Sequence, residues 1–333
     1  MARKCIGIDI GSGSVKIFEP GKEITLTEPA VVAVSTNEKA EFINCGEQAY
    51  ILDGKRPGAV RIVHPIVNGA VADFDLAEKM LRDMFGMLSL KNFDAVVSVH
   101  AGLKDEEKSR ILDLVRAAGA ESAAAVDAST AAVIGDEFDV SDKRCVMVCD
   151  VGSGCTEISI VSGIMSKYAK LLEFGGDSLD EAVATEIKKE YAIALTSRDA
   201  RMLREKHCMD IPEGADIDDV SVKGLNMITG LPMEAEIDPA VVYDSVYEIS
   251  DYIAQNVKHV LDGVGGDVAS EIRERGLLLC GGASKTGGLY ELIADVTGLN
   301  VMPAQKPYKC VVEGLGTIVE NLKTFEVMLE FKE

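Results

Sequence analysis

Two short stretches of the sequence combine an aspartate with a Gly-Ser-Gly turn, which is a combination suited to binding a polyphosphate. Each reads as an apolar strand, an aspartate (Asp9 or Asp150), one apolar residue, the turn and a second strand. Glycine lets a backbone approach a ligand closely, and successive N–H groups in a tight turn can bind an anion. Serine hydroxyls and a lysine add further donors. The candidate phosphate-binding residues are Gly11, Ser12, Gly13, Ser14, Lys16, Gly152, Ser153 and Gly154.

The two aspartates predict a cation at the same site, because Asp9 and Asp150 would otherwise repel a phosphate. Mg²⁺, held mostly through water by one or two carboxylates, is the expected ion. One Gly-Ser-Gly between two strands is often only a hairpin turn. Two copies with an aspartate at the same offset predict two related halves that face each other across a cleft and clamp a magnesium–nucleotide.

A third glycine-rich segment, Arg275–Leu289, is an apolar strand followed by four small residues and then by an amphipathic helix. A glycine turn between a strand and a helix is by itself an ordinary α/β connection. In a chain with two phosphate-binding turns, this segment is better interpreted as the loop that packs against an adenosine. The candidate residues are Gly281, Gly282, Ala283 and Ser284.

The elements that must position these turns alternate between strands and helices in both halves, which predicts an α/β fold. Residues 1–35 have the pattern of a β-meander. The run from Asp73 to Leu88 has helical spacing and an aspartate at its start. Ser178 and Glu181 have the spacing of a capping box for another helix. A last helix is predicted over Val312–Phe331.

Composition narrows the function further. The net charge of −21 argues against general binding to nucleic acid or to anionic lipid. The eight cysteines, several of them inside apolar runs, fit a reducing compartment better than a disulfide framework. The N-terminus shows no signal-peptide pattern, and no apolar run approaches ~20 residues. We therefore expect a cytoplasmic protein.

The three glycine-rich segments and the sequence between them resemble the actin-like ATPase superfamily, and within it the MreB family of bacterial actins. The resemblance runs from about Ile6 to the C-terminal helix. The phosphate-binding turns alone would fit any sugar kinase of the superfamily, whereas the segments between them favour MreB. Those segments are Thr27–Val34, Val63–Arg82, Gly175–Ala182, Ile228–Pro232 and Glu274–Ser284.

The resemblance implies an actin-like fold, with two ribonuclease-H-like domains that each carry a small inserted subdomain and with the nucleotide in the central cleft. It also implies ATP binding and head-to-tail filaments, paired in MreB, that organise wall synthesis at the inner membrane face and so set cell shape. The implied divisions are 1–31 and 65–142 for the first domain, with the helix 312–331 returning to it, 32–64 for its insertion, 143–176 and 256–311 for the second domain, and 177–255 for its insertion.

The resemblance also assigns roles to individual residues. The helix that contains Arg201 to Arg204 lies where MreB has Glu-Arg-x-Lys against the ribose and base. Here Arg201 replaces the leading glutamate, Arg204 replaces the lysine, and Glu205 is the candidate for the missing carboxylate. Lys16 is an actin-like feature that MreB lacks.

The sequence departs from the family where hydrolysis needs a group that positions water for attack on the γ-phosphate. MreB has Glu-Glu-Pro, and its second glutamate does this work, but Ala128 stands at that place. MreB also has a threonine directly after its glycines, where this chain has Cys155 and only then Thr156. Asp127 and Thr156 remain the candidate catalytic residues, with a helix N-cap or a contact to water around Mg²⁺ as the alternative for Asp127. We expect hydrolysis to be slow.

One segment is a candidate for contact with a membrane. The segment with Leu88, Leu90 and Phe93 lies where MreB carries an apolar membrane-binding loop, although such residues more often cover a core. Alternative functions are a filament that positions an organelle or plasmid, and a non-polymerising nucleotide switch or small-molecule kinase of the same superfamily.

Overall fold

Two five-stranded sheets form the centre of the fold. In each sheet, the first two strands along the chain form one of the two Gly-Ser-Gly hairpins. A computed structural model describes residues 3–37, 40–53, 55, 58–208, 219–329 and 331. The predicted subdomains and the C-terminal helix therefore include a few residues outside the described ranges.

In the first part of the chain an opening series of strands is followed by strands that alternate with helices, as the sequence pattern predicts. The elements are β1 (Lys4–Ile10), β2 (Ser14–Glu19), β3 (Glu23–Pro29), β4 (Val32–Ser35), β5 (Phe42–Cys45), α1 (Gly46–Tyr50), β6 (Val60–Val63), β7 (Ile66–Val67), β8 (Ala70–Val71), α2 (Phe74–Met87), β9 (Phe93–Val99), α3 (Asp105–Ala118), β10 (Ser122–Asp127) and α4 (Ala128–Gly135).

The second part of the chain starts again with a three-strand meander. The elements are β11 (Cys145–Val151), β12 (Thr156–Ser162), β13 (Met165–Leu172), α5 (Gly176–Tyr191), β14 (Ile193–Ala194), α6 (Ser197–His207), β15 (Val220–Asn226), β16 (Pro232–Ile237), α7 (Ala240–Gly263), α8 (Gly266–Arg275), β17 (Leu277–Cys280), α9 (Leu289–Thr297), β18 (Val301–Pro303), α10 (Cys310–Glu320) and the 3₁₀ turn Glu326–Met328.

The two large sheets have the same topology. The strand orders are β10-β9-β1-β2-β3 and β13-β12-β11-β17-β18, and in each sheet a meander of antiparallel strands is extended by two parallel strands. The hairpins β1–β2 and β11–β12 therefore occupy equivalent positions. This confirms the α/β fold with two related halves that the repeated motif predicts. The smaller sheets β5-β4-β6 and β14-β15-β16 lie within the ranges 32–64 and 177–255.

Helix α10 returns from the second sheet to the first half, where it packs against α4 and β1. Gly135 and Gly314 make this crossing close, because a Cβ at either position would overlap the backbone of the facing helix. Apolar side chains from both sheets, such as Val126 and Val148, join α4 and α10 in one cluster. The two halves therefore share a core beneath the cleft.

Local signals located some helix ends correctly and others incorrectly. Asp73 accepts a hydrogen bond from the Leu76 N–H and caps α2, as its position predicts. The capping box at Ser178 was wrong, because α5 already begins at Gly176, with Gly175 as its N-cap. The C-terminal helix begins two residues earlier than predicted and ends at Glu320 instead of continuing to 331. Among the described residues, no helix combines the length and apolarity needed to cross a membrane.

Candidate functional site

The two hairpin turns have the same backbone hydrogen bond and face each other. The Gly11 N–H donates to the Ser14 carbonyl at 3.0 Å, and the Gly152 N–H donates to the Cys155 carbonyl at 2.9 Å. A Cβ added at Gly13 would lie 2.6 Å from the Cβ of Ser153, so these glycines allow the turns to meet. Across the described part of the chain, four N–H groups at the turn tips donate to no protein acceptor, and an anion could bind there: those of Ser12, Gly13, Ser153 and Gly154.

A cavity of ≈ 190 Å³ lies between the turns. It brings together nearly all the residues that the sequence analysis singled out for nucleotide and metal binding. Those that line it are Asp9, Gly11, Ser12, Gly13, Ser14, Lys16, Asp150, Gly152, Ser153, Gly154, Arg201, Arg204, Glu205, Gly281, Gly282 and Ala283. Ser284 lies just behind this lining, where its hydroxyl donates to the Gly281 carbonyl at 2.8 Å.

Asp9 and Lys16 form an ion pair inside the site. The Lys16 Nζ lies 2.9 Å from Asp9 Oδ2 and 4.3 Å from the ring centre of Tyr308, and Ser98 Oγ donates to Asp9 Oδ1 at 2.7 Å. Burial by itself raises the pKa of Asp9, but Lys16 and Ser98 outweigh it, so that the pKa falls below its ordinary value. Burial likewise lowers the pKa of Lys16, and Asp9 reverses this. Both groups are therefore charged and already partnered.

Asp150 has a different environment, although it occupies the equivalent position in the second hairpin. Within the described residues no group donates a hydrogen bond to its carboxylate, and its cross-strand partner is another acid, Glu157. Burial raises the pKa of Asp150 to about 6, and Glu157 and Asp9 contribute to the shift. A cation beside Asp150 would remove this penalty, so this carboxylate fits a Mg²⁺ site better than Asp9 does.

The two arginines of α6 are held by carboxylates of α5. Arg204 Nε lies 2.6 Å from Asp180 Oδ1 and Arg201 Nε lies 2.9 Å from Asp180 Oδ2. Arg201 Nη2 also contacts Asp177, which accepts a hydrogen bond from the hydroxyl of Ser153 at 2.6 Å. The arginines thus connect α6 to the second phosphate-binding turn, and Glu205, one residue further on, is exposed at the edge of the cavity.

The third glycine segment follows β17, next to β11. Gly281 has φ of +89° and stands where a Cβ would overlap Asp150 and Val151, so a residue with a side chain would be strained there. The Ala283 N–H donates to the Val151 carbonyl at 2.9 Å, which fixes this loop against the second hairpin. Tyr308 packs beside Gly282 and also covers Lys16. No local sequence signal identified Tyr308, since it lies in a segment without a motif.

The two candidate catalytic residues both point to other partners. The Thr156 side chain is fully buried and donates to the Phe174 carbonyl at 2.7 Å. Asp127 occupies the N-cap position of α4 without a capping hydrogen bond, and its carboxylate lies 3.9 Å from Lys108 Nζ. Burial raises the pKa of Asp127. The side chains of Ala128 and Cys155 line the cavity instead.

Sequence reasoning missed a polar cluster at the edge of the cavity. His100 Nε2 lies 3.4 Å from Cys155 Sγ, and His100 Nδ1 lies 3.6 Å from Glu157 Oε2. His100 and Cys155 line the cavity. Spacing along the chain could not reveal this cluster, because His100 and Cys155 are 55 positions apart.

The predicted membrane-contact residues are less exposed than that role requires. Phe93 is a core residue at the start of β9, 2 % exposed, with its ring 5.2 Å from that of Phe85. Its inclusion in an exposed apolar loop was therefore wrong. Leu88 and Leu90 are half-buried against the same core. Met87 is the exposed apolar side chain of this segment, at 49 %.

Comparison with known proteins gives consistent results over the whole chain. The family described as MreB/Mbl protein matches residues 3–327. The cell shape-determining protein Mbl of Bacillus subtilis (strain 168) is 28 % identical over 326 residues, which cover 97 % of each chain. The cell shape-determining protein MreB of Escherichia coli (strain K12) is 28 % identical over 325 residues, which cover 95 % of this chain and 93 % of that one.

Solved structures share the fold. The crystal structure of MreB5 of Spiroplasma citri bound to AMPPNP superimposes with a TM-score of 0.90 at 22 % identity, over 98 % of this chain and 99 % of that one. The MamK double helical filament gives a TM-score of 0.77 at 16 % identity, over 96 % and 99 %.

Proposed function

Because the chain belongs to the MreB/Mbl family, we propose that it is an ATP-binding bacterial actin homologue that polymerises head to tail and organises cell shape or wall synthesis. The observation that carries the proposal is the pair of facing glycine turns, whose tip N–H groups have no acceptor in the described chain. The relatives named for cell-shape determination, the neighbour bound to AMPPNP and the filamentous neighbour support it.

The triphosphate is proposed to lie between the turns, with Lys16, Arg201 and Arg204 as nearby positive charges. Gly281, Gly282, Ala283 and Ser284 form the loop against the adenosine, and Glu205 is placed to contact the ribose or base. Mg²⁺, when bound, would neutralise phosphate charge, and Asp150 and Asp9 would hold it mostly through water.

Slow hydrolysis is part of the proposal. By the resemblance, Ala128 stands where the family has its catalytic glutamate. After the second turn it is Cys155 that lines the cavity, whereas the Thr156 hydroxyl donates to the Phe174 carbonyl. Asp127 stays the candidate polar group near this end. If phosphate release is fast in the wild type and unchanged in Asp127→Asn, the expectation of slow, Asp127-assisted hydrolysis fails.

The proposed partner is the chain itself, in a head-to-tail filament that pairs with a second one. We place it in the cytoplasm at the inner face of the membrane, with the exposed Met87 as the apolar contact; Leu88 and Leu90 would join it only by leaving their half-buried positions. The net charge of −21 argues against nucleic acid as a partner. Flotation with liposomes of the wild type and of Leu88→Ser/Leu90→Ser tests the membrane contact.

Electron microscopy and sedimentation of the purified protein test the main proposal. We expect filaments with Mg–ATP or with a non-hydrolysable analogue, and few without nucleotide. Calorimetry on the same samples should show nucleotide binding in magnesium buffer. Binding without filaments would support a nucleotide switch, and ATP consumption stimulated by a sugar or acid would support a kinase. Absence of any nucleotide binding would contradict the proposal.

A further inference from the structure

His100 joins the two halves of the molecule at one end of the cavity. It follows β9 of the first sheet, and both of its ring nitrogens face the second sheet, with Cys155 and Glu157 as their neighbours. The ring lines the cavity, and its side chain is 16 % exposed. In the function proposed above this imidazole has no role.

Glu157 favours the positively charged form of the His100 ring beside it. It stands directly opposite Asp150 in the second hairpin, as Lys16 stands opposite Asp9 in the first. The second hairpin therefore carries two carboxylates where the first carries an ion pair. Glu157 is fully buried and is fixed by the Gly102 N–H at 3.1 Å and by the hydroxyl of Ser159 at 3.0 Å.

The charges on the two residues are consistent with an imidazolium–carboxylate pair. Burial lowers the pKa of His100, but Cys155 and Glu157 outweigh it and hold the pKa well above its ordinary value. Burial raises the pKa of Glu157, and His100 reverses this. A protonated ring donates from both nitrogens: Nδ1–H faces Glu157, and Nε2–H faces Cys155 Sγ, which also lines the cavity.

The sheet order places His100 on the far side of the second hairpin from the adenosine loop. Strand β11 lies between β17 and β12. Gly281 follows β17 and packs against Asp150 and Val151 of β11, whereas His100 contacts the start of β12. A nucleotide whose base rests near Gly281 and whose phosphates cross the glycine turn would extend its last phosphate towards His100.

We propose that His100 binds the terminal phosphate of a nucleoside triphosphate, and that Glu157 positions the imidazole for this contact. The proposal rests on nucleotide binding in the cleft, as set out above. A thiol is a weak acceptor for Nε2–H, whereas a phosphate oxygen forms a strong, charge-assisted hydrogen bond. Since a diphosphate ends one group earlier, His100 would distinguish the two nucleotides.

The test compares the affinity for a non-hydrolysable ATP analogue with the affinity for ADP, both in magnesium buffer. In His100→Gln we expect about tenfold weaker analogue binding, which is typical for the loss of one hydrogen bond to a charged group, and unchanged ADP binding. His259→Gln, an exposed histidine on α7, is the matched control and should change neither.

The positioning role of Glu157 is tested by the pH dependence of binding, because a loss of structure would weaken binding without changing its pH dependence. In Glu157→Gln the imidazole loses its carboxylate partner, so the pKa of His100 should fall, because burial lowers it and Glu157 no longer raises it. Affinity for the analogue should then weaken as the pH rises from about 6 to about 8, more steeply than in the wild type. The remaining titratable or charged groups facing His100 and Glu157 are Asp9, Lys16, Asp127, Asp150 and Cys155, and of these Asp127 and Asp150 lose a cause of their raised pKa in Glu157→Gln. ADP measured over the same pH range reports that change, so the readout is the pH dependence of the ratio between analogue and ADP affinity.

The outcomes separate this inference from the proposed function. Equal weakening of ADP and analogue in His100→Gln, or no weakening of either, would overturn the contact with the terminal phosphate. If His100→Gln does not fold, the pH profile of Glu157→Gln decides, and a profile parallel to the wild type overturns the proposal. Failure of the wild type to bind either nucleotide would instead contradict nucleotide binding itself.

Discussion

Asp9 and Lys16 stand directly opposite each other across the first hairpin and form a buried ion pair, with 2.9 Å between Oδ2 and Nζ. The equivalent positions of the second hairpin hold Asp150 and Glu157, which repel each other. Two turns of nearly the same sequence therefore differ in charge, because the first hairpin carries an ion pair and the second carries two carboxylates. The first two predictions follow from this difference.

Lys16→Met should destabilise the protein strongly, because it leaves the buried carboxylate of Asp9 without its cation. We expect the free energy of unfolding to fall by roughly 3 kcal/mol, as when one partner of a buried pair is removed. Asp9→Asn in the same chain should recover much of this loss. Lys22→Met, which removes an exposed lysine beside Glu19, is the control and should have little effect. Chemical denaturation without nucleotide measures all four proteins, and equal effects of the two lysine substitutions would contradict the prediction.

Asp150→Asn should stabilise the protein without nucleotide and Mg²⁺, and the gain should depend on pH. The folded-state pKa of about 6 lies above the ordinary 3.8, so the folded state binds more protons than the unfolded state between these values. Wild-type stability therefore decreases as the pH rises through this window, by at most about 3 kcal/mol. The variant should be the more stable at neutral pH and lose this advantage near pH 4.

Denaturant unfolding across this pH range measures the difference between Asp150→Asn and the wild type. Mg²⁺ with nucleotide should favour the wild type, since the amide cannot replace the carboxylate charge. A difference that stays constant with pH would show that Asp150 does not titrate in the folded protein.

Gly13→Ala should weaken nucleotide binding by separating the two turns. The added Cβ would lie 2.6 Å from Ser153 Cβ, closer than such atoms approach in proteins. Gly11→Ala meets its nearest neighbour, the Ser14 carbonyl oxygen, at 3.3 Å and should have the smaller effect. Ser153→Gly combined with Gly13→Ala removes the overlapping atoms and should recover part of the affinity in calorimetry, because the N–H groups of the turn stay while the Ser153 hydroxyl is lost. If the double variant is as weak as Gly13→Ala, the contact between the turns is not the cause.

Gly314→Ala should destabilise the crossing of α4 and α10, because the added Cβ would overlap the Ala131 carbonyl oxygen. A loss of about 2 kcal/mol is expected for overpacking of a close contact. Gly86→Ala, in helix α2 with open space around it, should instead stabilise by up to about 1 kcal/mol, since alanine is the better helix former. Thermal unfolding of the two variants should therefore shift in opposite directions.

Those features of the site that depend on a few consecutive residues could be predicted from the sequence. The glycine turns, the aspartate that ends each preceding strand and the cap of α2 by Asp73 are such features. Repetition of the motif, with an aspartate at the same offset, predicted two related halves, and the two sheets indeed have the same topology. The failed capping box at Ser178 shows the limit of a local pattern, since α5 starts earlier, where Gly176 packs against the second turn.

The partners of the charged side chains could not be predicted in this way. Lys16 was expected to neutralise a phosphate, and the structure pairs it with Asp9. His100 had no assigned role until the fold brought the end of β9, in the first sheet, close to the start of β12, in the second. The sequence determined where the chain turns and which faces are apolar, because backbone conformation and hydrophobic periodicity are encoded locally. Only the tertiary structure decided which buried charges meet, because the sign and distance of a neighbour set a buried group's ionisation, and these neighbours come from distant parts of the chain.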